Sequence, residues 1–255
     1  MPRRLVPDFR ERIWGRTKLS PWFPDSEKKT GEAWFDDGSP LLIKFIFTSE
    51  NLSVQVHPND AYAREHHGSR GKTEMWHILA AEPGAKIAAG FRRELSEAEL
   101  REAARSGAIE QMLAWHEARA GDTFFIPAGT VHAIGAGLTL CEIQQNSDVT
   151  YRLYDYGRPR ELHLEHAAAV SLRGPCEARG AGSETLAACE YFVTRKLVIE
   201  NSSVFNSSGP GFLIAIGGEG EIDGHPTKAG DVWSFAAGEE IHLSGNLALL
   251  HASVR

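Results

Sequence analysis

Residues 53–60, SVQVHPND, place an amide and an imidazole two positions apart in a strand-like segment. Successive side chains of a β-strand point to opposite faces, so Ser53, Gln55 and His57 share one face and the two valines between them share the other. Pro58 ends the strand, because proline cannot donate a hydrogen bond to a β-ladder. A polar face opposite an apolar face of the same strand is either solvated or lines a site.

Two further segments carry groups that suit a divalent cation. Glu74 opens the strand-like run TEMWHILAAEPG, and His132 follows the turn IPAGT. With Gln55 and His57 they offer two imidazoles, a carboxylate and an amide oxygen, a ligand set for an ion of the zinc type that leaves positions open for water or substrate. Each such group alone is more often an ordinary surface or core residue, so the spacing makes the metal site a hypothesis.

Three neighbouring histidines favour simpler roles. His66 and His67 belong to the polar, turn-rich stretch PNDAYAREHHGSRG, where we expect them to be solvated. His77 lies three positions after Glu74, so strand alternation sends it to the opposite face, where we expect a structural role.

Composition narrows the class of partner. The 255 residues carry a net charge of -7, which argues against nucleic acid. Cys141, Cys176 and Cys189 are odd in number and form no CxxC pair, so we expect reduced thiols in a cytoplasmic protein. There is no apolar run of about 18 residues and no apolar run behind the N-terminal basic residues, so we expect neither a membrane span nor a secretory signal. We expect no nucleic acid and no membrane as partner, and a monomer or small homo-oligomer.

Strand patterns dominate the elements that must position these groups. Residues 41–57 predict two strands joined by a turn, and TEMWHILAAEPG, KIAAGF, TFFIP, VHAI, LTLCEIQQ and VTYRLYDYG predict others. Beyond residue 185 come YFVTRKLVIE, GFLIAIGG, GEIDG, DVWSFAAG and LALLHAS, which predict short strands separated by turn residues. Many short strands at such spacing are typical of a β-sandwich or barrel.

The clear helical signature begins at Ser96, which forms a capping box with Glu99. We expect Gly107 to divide this segment into two helices, and HLEHAAAVSL predicts a further short helix. The apolar stripe of the divided segment is predicted from Leu100, Ala104, Ile109, Met112 and Leu113.

A repeated phrase suggests two related β-barrel halves. GDTFFIPAG at 121–129 and GDVWSFAAG at 230–238 share the pattern G-D-x5-A-G, although only the first is followed by a histidine. Residues 173–185, RGPCEARGAGSET, are small and turn-prone and predict a linker. We therefore expect a metal-binding domain at 1–172 with a helical insertion near 96–117, and a smaller β domain at 186–255.

Taken in order, QVHPND, GKTEMWHIL, IPAGTVHAIGAG and EIQQNSDVTYRLYDYGR closely resemble the type I mannose-6-phosphate isomerases of the cupin superfamily, in their short bacterial form. The segments ERIWGRTKL and GEAWF add to the resemblance, which covers most of residues 10–170. It implies a mainly β fold of two cupin-like jelly-roll halves with a small helical segment. The second half has no HxH or PxGxxH pattern, so we expect no metal there.

The resemblance also implies a set of site residues. The expected metal is one Zn²⁺ per chain, with another divalent ion as an alternative, held by Gln55, His57, Glu74 and His132. Lys72 matches the family's active-site lysine and Arg152 its catalytic arginine. The remaining matches are two acidic positions near the pocket (Glu142 and Asp148), an aromatic at its mouth (Trp14) and three candidate phosphate contacts (Lys44, Ser53 and Arg158).

The sequence supports two of the candidate phosphate contacts to different degrees. A lysine at position 44, in the middle of an apolar strand, is unusual unless its amine has a partner. Arg158, in DYGRPRE, fits a solvated loop charge nearly as well.

The resemblance implies a small-molecule partner, a sugar phosphate. The implied reaction interconverts mannose 6-phosphate and fructose 6-phosphate by proton transfer between C1 and C2 through an enediol(ate). A Lewis-acid metal and the permanent charge of Arg152 suit the developing oxyanion. Either Lys72 or Glu142 is the proton-transferring base, and the sequence does not choose between them. The chain is compact for the family, which leaves the exact sugar open.

Two other functions compete. A non-catalytic regulatory cupin that binds a sugar phosphate would need the pocket but neither Arg152 nor Lys72, and both are present. An iron-dependent oxygenase would favour three histidines, whereas Gln55 takes the place of one.

Overall fold

The computed structural model describes residues 1–180, 182 and 184–255. Strands make up 49% of the chain and helices 11%, so the predicted mainly β class is confirmed. The described elements, in chain order, are β1 (Arg3–Arg4), β2 (Asp8–Arg16), β3 (Thr30–Phe35), β4 (Leu41–Phe47), β5 (Val54–Val56), α1 (Asp60–His67), β6 (Glu74–Ala81), β7 (Lys86–Phe91), α2 (Glu97–Ser106), α3 (Ile109–Met112), β8 (Leu113–Glu117), β9 (Thr123–Ile126), β10 (His132–Ile134), β11 (Leu138–Gln145), β12 (Tyr151–Tyr154), α4 (Leu164–Val170), β13 (Thr185–Ala188), β14 (Phe192–Asn206), β15 (Gly211–Ile222), β16 (His225–Lys228), β17 (Val232–Phe235) and β18 (Glu240–Val254).

The chain forms two compact units. One comprises Ile46–Arg179, which we call the central unit, and the other comprises Met1–Phe45 with Gly180–Arg255, which we call the terminal unit. The domain boundaries expected at 172 and 186 stay a prediction, and the expected linker at 173–185 includes residues 181 and 183, which lie outside the described residues. No helix among the described residues is long and apolar enough to cross a membrane.

The central unit contains an antiparallel sheet in the order β12-β5-β10-β7-β8. In the same unit but in another sheet, β6 pairs with both β11 and β9. On β5, the apolar face predicted from alternation packs into the core of this unit. Val54 and Val56 are fully buried in a cluster that also contains Phe91, Leu100 and Leu153. Burial of each such side chain contributes about 1.5–3 kcal/mol, so β5 is fixed with Gln55 and His57 on its other face.

The predicted capping box of α2 is confirmed. Ser96 Oγ accepts from the Glu99 amide at 3.2 Å, and the Glu99 side chain accepts from the Ser96 amide at 2.8 Å. Gly107, at φ 80°, ends the helix as predicted. The predicted helical stripe is wrong at Leu113, which begins β8 and pairs with Phe91, because β-pairing to β7 takes over from the helical periodicity.

The prediction of a turn at 58–71 is wrong, because this stretch contains helix α1. Asn59 Oδ1 caps the helix by accepting from the Tyr62 amide at 3.0 Å, and Gly68 ends it in the left-handed region. His66 and His67 are exposed, as expected of solvated side chains, but they lie on a helix, and His67 Nε2 lies 2.5 Å from the Tyr151 hydroxyl.

The terminal unit contains a sheet in the order β1-β17-β15-β18-β14-β13, with β16 beside β15. Its core is an apolar cluster that includes Leu213, Trp233 and Leu249. The strands of this unit are longer than predicted. GFLIAIGG and the first residues of GEIDG, up to Ile222, form the single strand β15, because pairing with β18 continues through the glycines, with one register shift between Ala215 and Gly217.

The two copies of the repeated phrase have the same local structure. Each contains a four-residue strand, β9 or β17, between glycines with positive φ. In each, the aspartate accepts a hydrogen bond from the amide three residues earlier, Asp122 from Arg119 and Asp231 from Lys228, both at 2.9 Å. Shared turn chemistry at both ends of a short strand supports the prediction that the two phrases are related.

Candidate metal centre

Three neighbouring strands align a row of polar side chains. Gln55 on β5 pairs with His132 on β10 and with Arg152 on β12. Directly opposed residues of antiparallel strands point to the same face of the sheet. The three side chains therefore point to the same face of the sheet, and this is the face that the alternation of β5 predicts for the site.

His57, Glu74 and His132 converge at this face. Their ligand atoms lie within 4.8 Å of one another. Glu74 Oε1 is 3.7 Å from His57 Nε2 and 3.4 Å from His132 Nε2, and all three side chains are buried. Three of the four ligands expected from the sequence thus form one cluster of nitrogen and oxygen donors.

Gln55, the fourth expected ligand, joins the same cluster. Its Nε2 lies 3.3 Å from His132 Nε2, and its Oε1 accepts from the Ser53 hydroxyl at 3.3 Å. A half-turn of the amide would bring Oε1 to the position of Nε2, because the two atoms are nearly equivalent in shape. The amide is therefore placed to offer its oxygen to a cation at this point.

Backbone carbonyls fix the orientation of both imidazoles. His57 Nδ1 lies 3.0 Å from the Val149 carbonyl, and His132 Nδ1 lies 2.8 Å from the Thr130 carbonyl. A carbonyl oxygen only accepts, so each Nδ1 donates and each Nε2 is left with its lone pair facing the cluster. Burial lowers the pKa of His132 to about 4, so its ring is neutral near pH 7.

This arrangement fits a zinc-type ion. Histidines that bind metals almost always donate their other ring nitrogen to a carbonyl or carboxylate, which sets the tautomer before the metal arrives. Two preset Nε2 lone pairs, one carboxylate and one amide oxygen are the donor types that zinc accepts. The chemistry of the donor set therefore suits the metal that the resemblance implies.

Lys72 lies within the cluster. Its ammonium is 2.8 Å from Glu74 Oε2, 3.2 Å from His57 Nε2 and 3.7 Å from Glu142 Oε1. Glu142 Oε2 accepts from the Trp76 indole N–H at 2.9 Å. Both candidate bases thus meet beside the donor set, and each is buried and held by a neighbour.

The remaining predicted residues of the central unit lie in different surroundings. Ser53 is buried beside Gln55, whereas Asp148 is exposed on the loop before β12. Arg152 is half-buried, and its Nη1 donates to the Glu161 carbonyl at 2.8 Å, while its buried Nε makes no hydrogen bond within the described part of the chain. Arg158 is held by Asp155 and is not a free loop charge.

Trp14 and Lys44 belong to the terminal unit, where both are buried. The Lys44 ammonium lies 4.2 Å from the centre of the Trp34 ring, a cation–π contact that gives the amine the partner expected in an apolar strand. Their predicted roles at the mouth of the site and at the phosphate stay predictions.

Sequence reasoning missed Trp76 and the two carbonyls that orient the histidines. Alternation could have found Trp76, since it lies two positions after Glu74 on β6 and shares its face. No signal in the side-chain pattern could have identified the carbonyls of Thr130 and Val149, because any residue type supplies one. His77, on the opposite face of β6, is buried and lies 2.9 Å from the Thr123 hydroxyl, as a structural residue would.

Comparison with known proteins gives the family. No protein-family model matches the chain. It is 40% identical over 198 residues to mannose-6-phosphate isomerase of Streptococcus mutans, a match that covers 72% of this chain and 62% of that relative. It is 34% identical over 289 aligned positions to mannose-6-phosphate isomerase ManA of Bacillus subtilis, with 90% of this chain and 91% of the relative covered.

Solved structures agree with the curated relatives. The mannose 6-phosphate isomerase from Bacillus subtilis superposes with a TM-score of 0.87 at 28% identity, over 98% of this chain and 99% of that one. A phosphomannose isomerase variant from Salmonella typhimurium, at 15% identity and a TM-score of 0.79, shares the fold over 99% of both chains. The predicted cupin-type β fold is thereby confirmed. This chain belongs to the mannose-6-phosphate isomerase family.

Proposed function

We propose that this chain is a metal-dependent aldose–ketose isomerase that interconverts mannose 6-phosphate and fructose 6-phosphate. The observation that carries the proposal is the preset donor cluster, in which the Nε2 atoms of His57 and His132 face Glu74 while Lys72 contacts the same carboxylate. The names of the relatives supply mannose 6-phosphate as the substrate, and fructose 6-phosphate is the ketose that isomerisation between its C1 and C2 would give. A bound zinc ion, or another divalent cation, would act as a Lewis acid toward the oxygens on C1 and C2.

Side chains of this protein account for the proton transfer and for the charge that develops with it. Removing a proton from C2 of the aldose, or from C1 of the ketose, produces an enediol(ate) that bears negative charge on oxygen. Lys72 and Glu142 both lie at the cluster, and either one could hold the proton between its departure and its return. The Arg152 guanidinium, on the same face of the sheet as Gln55, could donate hydrogen bonds to the oxyanion.

The other predicted residues would bind the rest of the sugar phosphate. Arg158, Lys44 and Ser53 are proposed to contact the phosphate, and Asp148 and Trp14 to border the pocket. We place the reaction in the cytoplasm, which the three free cysteines among the described residues suit, because a reducing compartment keeps thiols unpaired.

The test is turnover of mannose 6-phosphate to fructose 6-phosphate by metal-loaded protein, with a chelated sample beside it. We expect turnover that chelation abolishes and zinc restores. A protein that binds zinc and mannose 6-phosphate without turnover would be the regulatory binder instead, and the proposal would be wrong.

A further inference from the structure

A buried aspartate beyond the metal centre organises two arginines. Asp155 directly follows β12 and is 2% exposed. Its Oδ1 accepts from Arg158 Nε at 3.1 Å and from Arg160 Nη2 at 2.7 Å, and its Oδ2 accepts from Arg160 Nε at 2.5 Å. Arg158 Nη2 also contacts Oδ1, at 2.8 Å. One carboxylate thus holds both guanidinium planes through charge-assisted contacts, which are the stronger class of hydrogen bond.

The backbone between these residues is also constrained. Tyr156 has φ 54°, a left-handed conformation that is rare for a bulky side chain, and Gly157 follows at φ 76°. The turn is closed by the Arg158 amide, which donates to the Asp155 carbonyl at 2.9 Å. Arg158 Nη2 also donates to the Asn51 carbonyl at 2.8 Å, so the loop is tied to the segment before β5. Strained backbone of this kind persists where surrounding contacts determine it, and such sites are often functional.

Arg152, Arg158 and Arg160 gather at this loop. Burial lowers the pKa of Arg152, the charges of Arg160 and Arg158 lower it further, and the charges of Asp155 and Glu161 act in the opposite direction, so these groups are close enough to influence one another. Of the described carboxylates near these arginines, Asp155 is buried, whereas Glu161 is exposed and Glu50, 3.9 Å from Arg158 Nη1, has a side chain that is half in solvent. Arg160 Nη1 makes no hydrogen bond to the part of the chain that the structure describes. Guanidinium groups held in this way suit an oxyanion with tetrahedral oxygens.

The loop belongs to the same strands as the metal centre. At most ~14 Å of extended backbone separates Asn51, to which Arg158 is tied, from Gln55. Arg152 lies opposite Gln55 on β12, and the loop begins immediately after that strand. An anion bound at this loop would therefore lie at the end of β12, the strand that pairs with Gln55 of the donor cluster.

We propose that Asp155 is a positioning residue that holds Arg158 and Arg160 as two arms of one phosphate-binding site, with Arg160 as a further contact. The proposal rests on the proposed function, because it takes the anion to be the phosphate of the sugar phosphate. Asp155 touches no substrate itself. It fixes where the two guanidinium groups point.

The sign of the effect separates positioning from simple electrostatics. Replacing Asp155 by asparagine removes a negative charge near the bound phosphate, so electrostatics alone predicts tighter binding of anions. Positioning predicts the opposite, because arginines released from the carboxylate lose their preset geometry. A merely structural role predicts a lower thermal midpoint with no effect specific to anions.

The experiment compares Asp155→Asn, Asp155→Glu and Arg160→Met with the unaltered chain. We expect Asp155→Asn to raise KM for mannose 6-phosphate and the dissociation constant of inorganic phosphate by about tenfold each, with kcat changed less than about twofold. Asp155→Glu should recover part of the loss, and Arg160→Met should raise both constants by a smaller factor. Unchanged or tighter phosphate binding in Asp155→Asn would overturn the proposal.

The matched control is Glu165→Gln, which removes one carboxylate from an exposed arginine pair in the same unit. It should leave both constants unchanged. If Asp155→Asn does not fold, Asp155→Glu carries the test, and phosphate binding equal to that of the unaltered chain would overturn the proposal. Calorimetric titration with inorganic phosphate needs no turnover, so it separates failure of this inference from failure of the isomerase function.

Discussion

At the scale of single residues, hydrogen bonds to the backbone decide what the clustered histidines can do. His57 and His132 each donate Nδ1–H to a carbonyl, and this leaves both Nε2 atoms as acceptors beside Glu74. A structural histidine pair would need no such shared orientation. The arrangement instead favours a cation at the point where the lone pairs meet, with Lys72 and Glu142 next to it.

Arg152 offers a residue-scale test that separates an enzyme from a sugar-phosphate binder. Arg152→Met removes the guanidinium that is proposed to meet the oxyanion, and we expect kcat to fall by ~10²–10³. Arg152→Lys keeps the charge but loses the planar fork, so it should recover only part of the rate. Steady-state kinetics and metal content measure the outcome, and metal content should not change. Full kcat with a raised KM would show that Arg152 only binds.

At the scale of elements, short helices end where their caps are, and the strands between them carry the site. Helix α1 escaped the sequence analysis because its hydrophobic positions are few, although Asn59 before it and Gly68 after it are ordinary cap residues. Helix α2 was predicted because Ser96 and Glu99 satisfy each other's amides and the apolar stripe behind them is regular. Periodicity failed at Leu113, where pairing with another strand outweighs local pattern.

Helix α2 gives a test at this scale. Ser96→Ala removes the oxygen that accepts from the Glu99 amide, and we expect the free energy of unfolding to fall by about 1 kcal/mol. Ser106→Ala is the control in the same helix, since within the described residues its hydroxyl donates to carbonyls of the preceding turn and caps no amide; its effect should be under about 0.5 kcal/mol. Urea unfolding followed by circular dichroism measures both, and equal effects would mean that the capping box does not stabilise the helix.

At the scale of the whole molecule, the sequence predicted what depends on side-chain pattern and missed what depends on pairing over long distances. Alternation around Gln55 and His57 predicted the face of β5 correctly, and the G-D-x5-A-G phrases, from which two related β-barrel halves were predicted, have the same local structure. The compact unit that joins residues 1–45 to 180–255 had no local signal, because it depends on contacts between segments far apart in the chain. The length of β14 and β18, 15 residues each, likewise comes from their mutual pairing.

The terminal unit makes the stability of the molecule depend on pH through His251. Burial beside Phe205 and Phe235, and to a lesser extent the charge of Arg195, lowers the pKa of His251 to about 4, against about 6.5 in an unfolded chain. Between these two values the unfolded state binds more protons, so the free energy of unfolding falls as the pH falls from 6.5 to 4.

Replacing this histidine should remove that dependence. Between pH 7 and pH 4.5, we expect the free energy of unfolding of His251→Gln to fall by about 2 kcal/mol less than that of the unaltered chain. His242→Gln, at an exposed position of the same strand, is the control and should keep the full slope. Urea unfolding at the two pH values measures the difference, and parallel slopes in all three proteins would contradict a neutral buried His251.

The measurement that tests the central claim most directly is a zinc titration of metal-free protein during turnover of mannose 6-phosphate. The account predicts that turnover rises in proportion to added zinc and stops rising at one ion per chain. Glu74→Gln should neither retain zinc at that ratio nor turn over, whereas His77→Gln, altered on the opposite face of the same strand, should behave as the unaltered chain does. Turnover that does not depend on the metal, or no turnover once one ion is bound, would contradict the account.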